Sequence, residues 1–141
     1  MALNQRLLLG SWADLGARAT PIRFMVFVQE QQVPEALELD GRDADCIHAL
    51  IEVEGRPVAT GRLSPDGRIG RMAVVASYRG RGLGGNLLAG LISAADRRNQ
   101  HETYLHAQMH AIGFYERYGF VAEGPEFDDA GIAHRLMRRI A

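Results

Sequence analysis

Apolar residues recur along this chain with two different periods, and the switches between them outline the fold. Ile47, Ala49, Ile51 and Val53 occupy alternate positions, the mark of a strand across 46–53 with one buried face. Glu54-Gly55-Arg56-Pro57 forms a hairpin turn into a return strand at 58–63. Pro65-Asp66-Gly67 then turns the chain into a third strand at 68–75. Short connections of this kind predict three antiparallel strands in a row. The period lengthens over 86–97, where Leu87, Leu88, Leu91, Ile92 and Ala95 fall on one helical face. Residues 103–107 read as a strand, and 111–118 as a short helix ended by Gly119. Residues 120–123 and 132–137 read as two last strands around a polar turn at 128–131. At the other end, 4–9 predicts a short strand. Thr20-Pro21 has the form of a helix start, with Thr as N-cap and Pro at the first helical position. That helix carries Ile22, Met25 and Val26 and stops at Pro34. The acidic, turn-rich stretch 35–45 predicts a loop that can hold one helical turn, and its charge favours a cationic ligand.

The resulting order is strand, helix, three strands, helix, strand, helix, two strands. It predicts an α/β sandwich around one mixed sheet, and a length of 141 residues suits a single domain spanning 1–141. A net charge of −1 gives no reason to expect a nucleic-acid partner. No window approaches the ~20 apolar residues of a membrane span, and Leu7-Leu8-Leu9 is too short for a signal-peptide core. A cytoplasmic protein is expected. The lone Cys46 has neither a disulfide partner nor zinc-site spacing, and its neighbour Ile47 suggests a buried structural thiol. His106 and His110 straddle a strand end rather than sharing a helical face, so no metal is expected. The chain has no G-x-S-x-G for a hydrolase nucleophile.

The chemistry concentrates where the third strand meets the long helix, at Tyr78-Arg79-Gly80-Arg81-Gly82-Leu83-Gly84-Gly85. A helix start offers unpaired N–H groups and the positive end of the macrodipole, and glycines let a phosphate approach them. Arg79 and Arg81 add positive charge. A P-loop is excluded, since it needs a lysine and the chain has none. Gly80, Gly82 and Gly85 fit G-x-G-x-x-G, but a dinucleotide fold would place that turn after a first parallel strand, not after three antiparallel ones.

These residues resemble the GNAT N-acetyltransferase superfamily. Arg79-Gly80-Arg81-Gly82-Leu83-Gly84 matches its pyrophosphate motif [QR]-x-x-G-x-[GA]. Phe114-Tyr115-Glu116-Arg117-Tyr118-Gly119-Phe120 matches its F-Y-x-x-x-G-F segment at the expected distance downstream. Further pieces are similar to the bacterial ElaA-like subgroup: Arg23 to Val28 with Glu30-Gln31, Glu38-Leu39-Asp40, and Leu105-His106-Ala107-Gln108. The resemblance implies an α+β domain with a central, mostly antiparallel sheet of six to seven strands flanked by helices. One strand pair splays apart to hold acetyl-CoA as a co-substrate.

On that resemblance Met72, Ala73 and Val74 pair with the pantetheine arm. The amides of Arg79, Gly80, Arg81, Gly82, Leu83, Gly84 and Gly85 bind the pyrophosphate, and the N–H after Ala73 meets the acetyl carbonyl. Tyr115 is the general acid that protonates the coenzyme sulfur. Thioester aminolysis also needs a base for the ammonium; Glu30 is the candidate. The histidines read as structural first and catalytic second, and His101 and His110 fall in loops where they could relay a proton. A water chain could replace any single base. Gln108 is placed to bond the pantetheine amide or the acceptor, while Phe27, His106 and His134 are candidates for the acceptor groove. The acceptor is a primary amine of a small molecule or peptide, acylated directly in a ternary complex. A non-catalytic acyl-CoA-binding module of the same fold is the alternative. A homodimer is compatible with the sequence, and nothing in it sets the interface.

Overall fold

A computed structural model describes residues 4–140. Seven strands form two antiparallel sheets. The first has the order β1 (Gln5–Gly10), β2 (Ile47–Val53), β3 (Arg56–Leu63), β4 (Ile69–Val74), and the second has the order β5 (Glu102–Gln108), β7 (Ile132–Ile140), β6 (Val121–Asp129). One parallel bridge, Arg68 to Tyr104, joins them. The elements read from the apolar pattern are all present among the described residues, as an α+β sandwich.

Helix α3 (Leu83–Arg97) covers one face of the first sheet, and its stripe of Leu87, Leu88, Leu91 and Ala95 is fully buried. Leu105, Ala107 and Met137 of the second sheet join the same core, so α3 bridges the two sheets. The opposite face is closed by α1 (Trp12–Arg23), through Leu15, Ala19 and Ile22 against Leu50 and Ala73. Burying each such leucine or isoleucine contributes about 1.5–3 kcal/mol.

The start of α1 corrects the sequence reading. The N-cap is Ser11, whose hydroxyl accepts from the Asp14 amide at 3.2 Å, and Pro21 lies inside the helix. Thr20 is no cap; its hydroxyl donates to the Gly16 carbonyl at 2.7 Å. A proline within a helix removes one backbone donor and crowds the preceding turn. Just beyond it the helix widens into a π segment over Phe24–Glu30, closed by Gln31 N–H donating to the Val26 carbonyl at 3.0 Å. Segments of this type concentrate at functional sites, and this one turns Val26, Phe27, Glu30 and Gln31 toward a groove.

The stretch 35–45 is also more ordered than its composition suggests. A helical turn, α2 (Glu35–Glu38), is followed by a 3-10 turn over Asp43–Asp45. Three of its five carboxylates are engaged in internal ion pairs, which leaves Glu35 and Asp45 as the charges behind the expected preference for a cationic ligand. Glu38 pairs with Arg23, Asp40 with Arg62 and Arg71, and Asp43 with both Arg23 and Arg62. Three guanidiniums offset three carboxylates beneath the loop. Hydrogen bonds from Arg62 hold the Asp40 carboxyl far below the usual range. Burial works to raise Asp43, but its bonds to Arg23 and Arg62 outweigh that and keep it low.

Candidate active site

A groove of about 830 Å³ opens where β4 and β5 part. Near the bridge the sheets are tied by Tyr104 N–H donating to the Gly67 carbonyl at 3.0 Å. Further along, β4 pairs only with β3 and β5 only with β7. Val75 N–H donates to Val58 across the β3 side at 2.9 Å. The next pair inward, Ala59 and Val74, is therefore of the non-bonded type, which turns the Val74 N–H away from β3 and toward the groove. This is the N–H that follows Ala73.

The register of β4 slips at Arg71, whose φ of 51° is left-handed. Strict alternation would put Ala73 on the same face as Ile69. Instead Ile69, Met72 and Val74 face the α3 core while Ala73 faces α1. A bulge that exchanges the two faces accounts for this. The Arg71 side chain then reaches the Glu38 carbonyl at 3.0 Å and the Leu37 carbonyl at 3.2 Å, anchoring the 35–45 stretch over the groove. No sequence pattern announced the bulge, since 68–75 reads as an uninterrupted strand.

The glycine turn closes one end of the groove. Gly80 and Gly82 have φ of 78° and 80°, and a Cβ at either position would meet nothing within 4 Å. The first intrahelical bond of α3 runs from Asn86 N–H to the Gly82 carbonyl at 3.1 Å. The amides of Leu83, Gly84 and Gly85 thus have no acceptor within the helix. A 15-residue helix supplies its dipole behind them. An open concavity lined by such donors fits a diphosphate. Gly85 has a second role, because a Cβ there would overlap the Tyr118 hydroxyl.

Fifteen of the sixteen residues singled out from the sequence line this groove; Arg81 does not. Its guanidinium stacks over Tyr78 at 5.2 Å instead. Arg79 does line the groove and holds the Glu30 carboxylate with two bonds of 2.6 and 2.7 Å, while its Nε donates to the Val74 carbonyl at 2.9 Å. The hydrogen bond from Arg79 lowers the Glu30 pKa, which weakens it as a proton acceptor. Phe27 and Met72 both line the groove.

Tyr115 is carried by α4 (Ile112–Glu116), with its hydroxyl 4.0 Å from the Met72 sulfur. Phe114 and Phe120 stand edge-on to its ring, at 5.1 and 6.1 Å between centroids. Burial pushes its phenol pKa up, so it stays protonated through neutral pH. On β5, Gln108 donates to Gln31 at 3.1 Å, linking the strand to the π segment across the groove. His106 lies within 3.1 Å of an Arg68 nitrogen, and burial first, then the Arg68 charge, lowers its pKa. His134 lies 2.7 Å from the Ile132 carbonyl.

Sequence reasoning missed Arg68, Arg71 and Tyr118 as groove residues. Tyr118 was detectable, since it follows Tyr115 and Phe114 at helical spacing; the two arginines carried no periodic signal. Among the described residues no cluster of three or more His, Cys, Asp or Glu could hold a metal, and no helix is long and apolar enough to cross a membrane.

A splayed strand pair, a glycine-capped helix start and a tyrosine between them define an acyltransferase fold. Residues 17–141 match the model of the acetyltransferase (GNAT) domain, and the chain belongs to that family. The uncharacterized protein YyaT of Bacillus subtilis is 37% identical over 133 residues, covering 90% of this chain and 89% of its own. An acyl-CoA N-acyltransferase from Pseudomonas aeruginosa has 34% identity and a TM-score of 0.85, over 96% of this chain and 99% of that one. Escherichia coli ElaA has a TM-score of 0.86 at 26% identity, over 95% of this chain and 99% of its own.

Proposed function

We propose that this protein transfers the acetyl group of acetyl-CoA directly to a primary amine of a small molecule or peptide. The observation that carries this reading is the Tyr115 hydroxyl set beside the unpaired edge of β4, in the same groove as the glycine turn. A bound acetyl-CoA would supply the activated thioester, so no enzyme nucleophile is needed. The open edge at Met72–Val74 is free to pair with an extended pantetheine arm as an added strand. The amides opening α3 take the diphosphate, and Arg79, cross-braced by Glu30, adds a guanidinium to the same groove. The Val74 N–H is directed to polarise the acetyl carbonyl. Tyr115, kept protonated by burial, donates to the departing sulfur. Gln108 and Phe27 line the path by which an acceptor reaches that carbonyl.

The test couples binding to turnover. Calorimetry should show coenzyme A binding, and Gly82→Asp should abolish it by adding bulk and negative charge at the diphosphate site. A thiol-release assay over an amine library should then identify acceptors. Coenzyme binding without thiol release from any amine would replace this reading with the non-catalytic acyl-CoA module.

A further inference from the structure

Six groove groups could in principle receive the proton of an acceptor ammonium: Glu30, Glu38, His106, His110, Asp129 and His134, of which His110 and Asp129 are exposed to bulk solvent. Two are already committed. Glu30 is held by both nitrogens of Arg79, and the buried Glu38 carboxylate by Arg23. His106 and His134 differ in a way that their partners fix. A guanidinium can only donate, so the His106 Nδ1 facing Arg68 at 3.1 Å carries the lone pair. The neutral His106 ring then has its hydrogen on Nε2 and offers a donor. A backbone carbonyl can only accept, so the His134 Nδ1 facing Ile132 at 2.7 Å carries the hydrogen. That leaves the lone pair of His134 on Nε2. Among the described residues this Nε2 makes no hydrogen bond, and it is not one of the buried atoms left without a partner, a condition found only at Thr103 Oγ1. It is therefore accessible, on a residue that lines the groove.

His134 is also well placed. In the β5–β7 register it stands directly opposite Gln108, on the half of β5 that has parted from β4. Its ring stacks on Phe127 at 6.0 Å, which holds its plane. The charged and titratable groups around it are His106 on β5, Asp129 on β6 and, beyond His106, Arg68 ahead of β4. Gln31, capping the π segment, faces it through Gln108. His110, in the turn after β5, is exposed and has no partner among the described residues to fix its ring.

We propose that His134 is the base that accepts the acceptor amine's proton, and that His106 is barred from this role by its tautomer. The inference rests on the acetyltransfer reading above. One ammonium proton passes to His134 Nε2 and on to solvent as the nitrogen attacks the thioester carbon. The C–N bond forms and the C–S bond breaks. A second proton leaves the nitrogen and balances the one Tyr115 gives to sulfur. The third remains as the amide N–H.

Long-range ¹H–¹⁵N spectra of the histidine-labelled wild-type protein should show Nδ1–H at His134 and Nε2–H at His106. With an amine found by the screen, His134→Gln should lower kcat/KM by about 100-fold or more and abolish the ascending limb of its pH profile, with coenzyme affinity retained. His134→Gly should regain activity with added imidazole. His106→Gln and His110→Gln should keep the limb. A hydrogen on His134 Nε2, an unchanged limb in His134→Gln, or loss of the limb in His106→Gln or His110→Gln would each overturn the assignment. Wild-type protein that releases no thiol with any amine instead overturns acetyl transfer itself.

Discussion

At the residue scale, two side chains show how burial serves different ends. Tyr115 is held beside Met72 with its phenol pKa raised by burial, a state suited to giving a proton rather than keeping a charge. Replacing it with phenylalanine preserves the packing against Phe114 and Phe120 and removes only the donor. Tyr115→Phe should therefore slow turnover by about 10²- to 10⁴-fold while coenzyme affinity, read by calorimetry, stays near wild type. Arg23 is 2% exposed, bonds Glu38 and Asp43, and lies 5.2 Å over the Trp12 ring. Arg23→Met leaves the buried Glu38 with only Arg71 at 3.8 Å and the buried Asp43 with Arg62 alone. Denaturant titration should show a loss of about 3–5 kcal/mol, the cost of removing one partner from a buried ionic cluster.

At the element scale, the start of α3 is shaped by two constraints at once. Gly80 and Gly82 need left-handed backbone and open space, whereas Gly85 needs room for the Tyr118 hydroxyl. Gly85→Ala should destabilise the fold by about 1–3 kcal/mol through overpacking. Tyr118→Phe deletes the oxygen and leaves the ring carbon 3.3 Å from the new methyl, so the double variant should recover most of that loss in a thermal-melt cycle. The sequence made the α3 stripe and the glycine turn legible because both follow local rules of period and backbone freedom. It hid the true start of α1, since Thr20-Pro21 imitates a cap; only the packing of Leu15 and Ala19 against Leu50 shows that the helix begins a full two turns earlier. It hid the bulge at Arg71 and the ion pairs of the 35–45 stretch for a different reason. The ion pairs join residues 15 or more positions apart and the bulge is a slip against β3, and no periodic pattern records either. The candidate site was legible to the extent that its motifs are contiguous, as at 79–85 and 114–120. Arg68, which fixes the His106 tautomer from 38 positions away, was not.

At the scale of the whole molecule, acid should unfold the protein in two stages. Burial lowers the pKa of His48, which packs neutral against Trp12 with its Nε2 2.8 Å from the Asp43 carbonyl. Its folded pKa lies below that of the unfolded chain, so the unfolded state binds more protons and stability falls once pH drops under about 6.5. Asp40 and Asp43 have the same sign at lower pH. Their contribution is complete above about pH 4 and is lost as pH falls further through their depressed values. Urea midpoints measured from pH 8 to pH 3 should decline gently and then steeply. His48→Gln should shrink the first decline, to which the lowered pKa of His106 also contributes, and leave the second.

The lone rung between Arg68 and Tyr104 makes the architecture unfinished by its own chain. Two sheets lean apart from that crease, and the amide of Val74 faces a space no strand fills. If a thioester's tether completes the ladder there, the visitor is also a structural member, clasping sheets whose strands otherwise meet at one rung. Deuterium uptake along residues 72–74 and 106–108 should then drop together on adding coenzyme A, and the melting temperature should rise with its concentration.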